Sequence, residues 1–294
     1  MGYWTTSEVA KYLRLNEKKI YAMVRDGKLP AARICGKWLF EKELIDQWVR
    51  QHTIHPDAGV MGALVDRMLV LQGSDDWLLD QAIGKVRSII DQAIVSARVG
   101  SFAGLTALRE GRAHFAGIHV ADDDLQEALR PQPPTYLIGL FGRHQVLVVS
   151  KAHAAGVRSL SDVVEQGLRF AIRQKAAGTY RLTESLVRGA GHSMQQLKTV
   201  GPFTSHLEVA LAVSQGHADA GIVIQVAAEL THQPYVPLLD ETYRLAVPAP
   251  LFGHPTVASF LDRLIGWLDT RTSAQAPGYS FEPLGRLVAP TAST

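Results

Sequence analysis

Three hydroxyl residues, Ser74, Ser101 and Thr179, stand where an apolar run of this sequence gives way to a helical pattern. A helix start leaves backbone N–H groups unpaired, and a hydroxyl beside them completes a neutral cradle for an anion. The same hydroxyl would serve equally as a plain helix cap, so position alone leaves both roles open. Arg173 and Arg181 flank a turn at Gly178, with Tyr180 just before Arg181. A planar guanidinium can grip a carboxylate or oxyanion through two parallel hydrogen bonds, and an interlobe salt bridge is the other role open to it. His119 ends the string AGIHV, and His206 and Glu208 open SHLEVALAV. Both histidines are placed for a cleft, or equally for a core or hinge. Asp75 follows Ser74; a carboxylate facing an anion repels it, so its expected part is to cap or orient the loop.

Catalysis and metal binding find less support. Ser74, Asp75 and His119 could form a hydrolase set, yet the sequence has no G-x-S-x-G elbow. His119 and His206 lack a third ligand at metal spacing, and neither a phosphate-binding nor a dinucleotide fingerprint occurs. No catalytic residue, metal or cofactor is therefore expected. The single cysteine, Cys35, excludes an internal disulfide and fits a reducing cytoplasm.

These residues sit in an alternation of strand, loop and helix that begins near residue 66. RMLVLQG, AIVSARVG and HFAGIHV read as strands, each with a helix or loop after it. QVLVVSK opens a second series with RFAIRQ, AGTYRLTESLVRGAG, SHLEVALAVSQG and ADAGIVI, and YVPLLDETYRLAVP returns as a strand. Such alternation predicts parallel α/β sheet with ligand groups at the strands' carboxyl ends. A crossing near 140–146 and a return near 238–245 divide it into two lobes, about 66–140 plus 240–294 and about 141–239.

The first 52 residues differ in character. They hold ten Lys/Arg against six Asp/Glu, a net +4, while the whole chain is only +2. A basic head on a slightly acidic body suggests a polyanionic partner for the head alone. Thr5-Thr6-Ser7-Glu8 has capping-box spacing, and Asn16 can cap a second helix that Gly27 ends. After Pro30, ARICGKWLF reads as a hairpin turning at Cys35-Gly36, before a third helix, EKELIDQWV. Trp4, Trp38 and Trp48 are expected to build the core of so small a unit. Residues 53–65, with Pro56 and Gly59, read as a linker.

The string TTSEVAKYLRLNEKKIYAMVRDGKLPAARICGKWLFEKELIDQW resembles the excisionase-type branch of the MerR-like winged-helix family. That resemblance implies a second helix in the major groove and a wing on the backbone or minor groove of double-stranded DNA. Asn16, Lys18, Lys19, Tyr21 and Arg25 from the helix, with Arg33 and Lys37 from the wing, are the expected contacts. Further on, LQGSDD, GSFAGLTALREGRAHFAGIHV, LRFAIRQKAAGTYRLTESLV, TSHLEVALAVSQGHADAGI and PLLDETYRLAVP resemble, in order, a periplasmic-binding-protein-like domain. This resemblance implies the two-lobed type 2 fold and an oxyanion ligand such as molybdate or tungstate. Where it leads to a Gly-Ser-Gly-Thr turn, this chain has Ala176-Ala177-Gly178-Thr179.

The expected protein is an α/β, cytoplasmic, homodimeric transcription regulator with a winged helix-turn-helix head, a small anionic effector and no membrane association. Two alternatives stay open: a sensor of a small organic acid, and a cofactor-metabolism enzyme carrying a DNA-binding head. A pocket of neutral donors alone would favour the oxyanion. An Arg aimed at one end of the ligand would favour a carboxylate.

Overall fold

A computed structural model describes residues 3–52, 59–130, 132–272 and 274–288. The first six residues of the expected linker, 53–58, lie outside them. The chain divides into two compact units, Met1–Ala63 and Leu64–Thr294.

In the first unit, β1 (Tyr3–Trp4) leads into α1 (Thr6–Leu13), α2 (Glu17–Arg25), β2 (Ala32–Ile34), β3 (Lys37–Glu41) and α3 (Lys42–His52). The Thr5–Glu8 capping box closes the first turn of α1, and Asn16 Oδ1 accepts from Lys19 N at 2.8 Å to start α2. Gly27 follows α2 at φ +68°, in the left-handed region that glycine enters without penalty. Cys35 and Gly36 both have positive φ, as the tight hairpin between β2 and β3 requires. The sequence pattern had not shown β1, which joins β3 to make a three-stranded sheet. Val9, Ile20, Val24, Phe40 and Ile45 form the core, with Trp4, Trp38 and Trp48 packed partly buried around it.

Helix α4 (Gly59–Leu64) spans the boundary between the units in the chain. The second unit then runs β4 (Met68–Gly73), α5 (Trp77–Arg87), β5 (Ala93–Arg98), α6 (Ser101–Arg109), β6 (Phe115–Ile118), α7 (Asp122–Leu129) and β7 (Thr135–Val149). It continues α8 (Leu160–Glu165), β8 (Arg169–Arg173), α9 (Gly178–Gly189), β9 (Lys198–Phe203), α10 (His206–Ser214), β10 (Ala220–Ile224) and α11 (Gln225–Leu230). After β11 (Tyr235–Pro248) come α12 (Ala249–Phe252), α13 (Pro255–Asp269), β12 (Tyr279–Ser280) and β13 (Leu287–Val288).

The sheet is mixed, not wholly parallel as the alternation predicts. Its strand order is β5-β4-β6-β11-β7-β10-β8-β9, with β12 and β13 paired to β7. Parallel ladders occupy both flanks, and two long antiparallel strands, β7 and β11, run through the centre. One end of this central pair belongs to a lobe with β4, β5 and β6, whose core includes Leu105, Ile118, Leu137 and Ala246. The other end belongs to a lobe with β8, β9 and β10, cored by Leu147, Phe170, Val187 and Ile222. Register breaks in β11 at Pro237/Leu239 and Tyr243/Arg244 bracket its middle, where the chain passes from one lobe to the other.

Candidate effector site and nucleic-acid surface

Polar side chains gather where the lobes meet. Arg143, in the middle of β7, is fully buried and donates through Nε to Glu241 Oε1 at 2.6 Å. Its Nη1 donates to Asp76 Oδ2 at 2.8 Å and to the Asp75 carbonyl at 3.0 Å. Tyr279 donates to Asp76 at 3.0 Å and Gln145 to Glu241 at 2.8 Å. Burial works against the Glu241 carboxylate, but the Arg143 charge and the His119 and Gln145 contacts overcome it and hold its pKa near 2. Asp76, the N-cap of α5, is pushed up from the ordinary range by burial despite Arg143. Two carboxylates thus neutralise one guanidinium, a structural ion cluster at the lobe crossing.

The second buried guanidinium is treated differently. Arg173 ends β8, donates from Nη2 to the Thr204 carbonyl at 3.0 Å, and holds its Nη1 3.8 Å from Asp75 Oδ2. Asp75 is already engaged: Oδ2 accepts from His206 N at 2.7 Å, and Oδ1 faces Arg98 at 3.2 Å. Asp75 therefore reaches across to the other lobe's α10, and the capping of α5 falls to Asp76. Burial and the nearby Arg143 charge lower the Arg173 pKa to about 10, against the partial support of Asp75. Its Nε and Nη1 are buried with no hydrogen-bond partner.

Further buried groups, in this lobe or at the lobe crossing, stay unpaired. Among the described residues, buried side-chain atoms without a partner include Thr179 Oγ1, Arg143 Nη2, Gln145 Oε1, His119 Nε2 and both ring nitrogens of His206. His206 is held neutral, first by burial and then by the charges of Arg173 and Arg143. His119 is lowered by burial too, against the pull of Glu241. A buried unpaired polar atom costs roughly 1–3 kcal/mol, so such a concentration makes this cluster the candidate site.

The expected residues sort clearly. Arg173, His119, His206 and Asp75 come together between the lobes, with Thr179 in the first turn of α9 next to Gly178. Gly178 packs against the His119 ring, and a Cβ there would lie 2.4 Å from His119 Cε1. Ser101 accepts from His119 N at 3.2 Å, and Ser74 is pinned through its backbone to Gly117 O and the Tyr243 hydroxyl. Arg181 is exposed and stacks on Phe102, 3.5 Å from the ring centroid. Tyr180 packs on the core of its own lobe, away from the cluster. Arg143, Gln145, Glu241, Asp76 and Tyr279 were not singled out from sequence. For Arg143, Gln145 and Glu241 the signal was the charged and polar run GRHQ inside an otherwise apolar strand, in register with DE of β11.

Two cavities flank the cluster. One, of about 430 Å³, is bordered by His119, Gly178, Glu241, Phe102, Arg181 and Arg244. The other, of about 230 Å³, is bordered by Asp75, Arg98, His206, Trp77 and Leu211.

In the head, Asn16, Lys18, Lys19, Tyr21 and Arg25 are exposed along α2, whose Ile20 and Val24 face the core. Asn16 Oδ1 is committed to its cap. Arg25 stands 3.8 Å from Asp26, and Arg33 lies over the Trp38 ring at 5.6 Å. Lys37 begins β3, exposed. Lys18 and Lys19 occupy the first turn of α2, the positive end of its dipole, where a cation costs a few tenths to about 1 kcal/mol. A phosphate there would reverse that sign.

Residues 90–264 match the model of the PBP superfamily domain, and residues 3–53 match a helix-turn-helix domain. The chain is 25% identical over 260 residues to the uncharacterized protein YvgK of Bacillus subtilis (strain 168), covering 83% of this chain and 84% of that one. The regulatory domain of NMB2055 (MetR), a LysR family regulator from N. meningitidis, superposes with TM-score 0.52 at 14% identity, over 72% of this chain and 98% of that one. The effector-binding domain of QuiR in complex with shikimate gives 0.50 at 13%, over 69% and 98%. That of BenM with its effector benzoate gives 0.50 at 14%, over 69% and 92%.

Proposed function

Because this chain belongs to the PBP superfamily and carries a helix-turn-helix domain at its N-terminus, we propose that it is a DNA-binding regulator controlled by a small anion held between two lobes. The observation that carries the reading is Arg173, a buried cation with two unpaired nitrogens and one loosely placed counter-charge. Thr179, His206 and Arg143 supply further donors around it. An anion entering there would restore the charge balance that burial disturbs and would draw on both lobes at once. Ligand occupancy then shifts the population between lobe arrangements, and the head's grip on DNA changes with it.

Molybdate or tungstate would suit a cradle of neutral donors. Two guanidiniums beside unpaired acceptors favour an organic carboxylate instead. Shikimate and benzoate, bound by QuiR and BenM on the same fold, are acids of this kind. The head follows the MerR-like winged plan, with α2 in the major groove and the β2–β3 wing on the backbone. A regulator of this design works as a cytoplasmic homodimer on paired half-sites, and it acts by binding, without catalysis. Among the described residues no helix is long and apolar enough to cross a membrane.

The test is calorimetric titration of the full chain with succinate, malate, lactate, benzoate, molybdate and tungstate, in wild type and Arg173→Met. Duplex DNA binding is followed with and without each anion. At least one anion should bind wild type, fail to bind the variant, and change DNA affinity. Absence of any Arg173-dependent binding would remove the site.

A further inference from the structure

The unpaired acceptor of His119 points to a second requirement on the ligand. His119 Nδ1 lies 2.8 Å from Glu241 Oε2. Glu241 is a carboxylate that also accepts from Arg143 and Gln145, so the Nδ1 proton is directed to it. In the neutral ring this leaves Nε2 as a bare lone pair. That atom is buried, has no partner, and belongs to a residue bordering the 430 Å³ cavity. A Cβ on Gly178 would stand 2.9 Å from it, so the bare glycine keeps the space beside Nε2 free of protein. Gln145 Oε1, also buried and unpaired, is a second acceptor on the same ion cluster.

Acceptors in a site repel fully ionised oxygen atoms and select ligands that donate a proton. Resting on the anion reading above, we infer that the effector is a small organic acid carrying a hydroxyl or N–H group, which donates to Nε2 of His119 while its carboxylate meets Arg173. Fully deprotonated inorganic oxyanions lack such a donor. On the His119 side, the cavity of about 430 Å³ exceeds what a bare tetrahedral oxyanion fills and falls in the range of organic-ligand pockets, while Arg173 lies buried and does not line it. His119 is thus the specificity-determining group and Arg173 the affinity-determining one, from opposite lobes.

Matched acids separate the two roles. Full-length wild type, His119→Phe, Gly178→Ala and Arg173→Met are titrated calorimetrically with malate against succinate, lactate against propionate, and molybdate. The hydroxylated member of at least one pair should bind wild type about tenfold tighter or better, the discrimination expected when a buried acceptor is left unpaired by the analogue. That ratio should collapse toward one in His119→Phe, which keeps a flat ring without an acceptor, and in Gly178→Ala, which fills the space beside it. Arg173→Met should lose both members. Equal binding within every pair, a ratio unchanged in His119→Phe, or Arg173-dependent binding of molybdate above all organic acids would overturn the inference and leave the anion site standing. Binding of none of these anions would overturn the anion site itself.

Discussion

Removing the Arg173 charge should stabilise the ligand-free protein while abolishing its ligand binding. In the fold this guanidinium is pushed down to about 10, chiefly by burial. At roughly 1.4 kcal/mol per tenfold change, keeping it protonated at neutral pH costs about 3 kcal/mol. The sign follows from the direction: a lowered pKa means the penalty is present in full below about pH 10 and is relieved only in stronger alkali, where the unfolded chain's guanidinium also loses its proton. Arg173→Met removes the charge and retains an adaptable side chain of similar length. It gives up the hydrogen bond to Thr204 O, worth about 1 kcal/mol, and a 3.8 Å attraction to Asp75, which keeps Arg98 and His206 N. The unpaired Nε and Nη1 offer nothing further to lose. A net gain of about 1–2 kcal/mol remains, or roughly 3–6 °C for a unit of this size. Differential scanning calorimetry of the full chain without added anions, following the transition of the Leu64–Thr294 unit, measures it. A variant less stable than wild type by 1 kcal/mol or more would refute the reasoning, since Arg173 would then be a structural ion-pair partner.

Glu241→Gln should act in the opposite sense, destabilising the unit by about 3 kcal/mol in urea or heat, because it strips one of the two charges that hold buried Arg143. Acid should weaken the ligand-free protein in two stages. His206 and His119 have lowered pKa values, so their contribution is complete above about 6.5 and is lost as pH falls below it. Glu241, held near 2, contributes above about 4.5 and is lost from there downward, with the raised Asp76 opposing it. His206→Leu should flatten the first stage of a Tm-against-pH curve, and an unchanged slope would contradict the assignment. Lys18→Ala, Lys19→Ala and Lys37→Ala combined should reduce the salt dependence of duplex DNA binding by up to about three in log–log slope, read by fluorescence anisotropy. An unaltered slope would move the DNA surface elsewhere. Gly100→Ala places a Cβ 2.2 Å from Ala176 O of the facing lobe. It should hold the lobes apart, giving a larger radius of gyration in small-angle scattering of the ligand-free chain.

The elements of both units were largely readable, because each is announced locally. Thr5–Glu8, Asn16 and Gly27 mark the head's helices by capping chemistry, and Cys35-Gly36 marks its hairpin. The returning strand β11 runs from Tyr235 to Pro248, as its apolar pattern indicates. What escaped was set by distant partners. Two-residue β1 has no period to detect and exists only because β3 offers it an edge. The amino-terminal half of β7, TYLIGLFG, pairs antiparallel with β11 about a hundred residues away, so a local alternation of strand and helix suggested parallel sheet where the centre is antiparallel.

The site was legible by residue type but not by role, and its two buried arginines show why. Arg143 and Arg173 each lie in or at the end of an apolar strand, and nothing in GRHQ or AIRQ tells them apart. Their difference arises from what the fold brings from elsewhere. Glu241 and Asp76 arrive from β11 and from the start of α5, and together they balance the charge of Arg143, leaving only its Nη2 without a partner. Arg173 is left to share Asp75 with Arg98 and with the first turn of α10. The first cation is therefore expected to stabilise the lobe crossing. The second, with its counter-charge divided among three claimants, costs the apo protein stability that only a ligand can return. Helix-start hydroxyls drew notice because they are visible in sequence, yet Ser101 is committed to His119 N, while Thr179 keeps a buried oxygen without a partner. Incomplete pairing in the folded chain, a property of the ensemble of neighbours and not of any residue, is what marks the candidate binding groups.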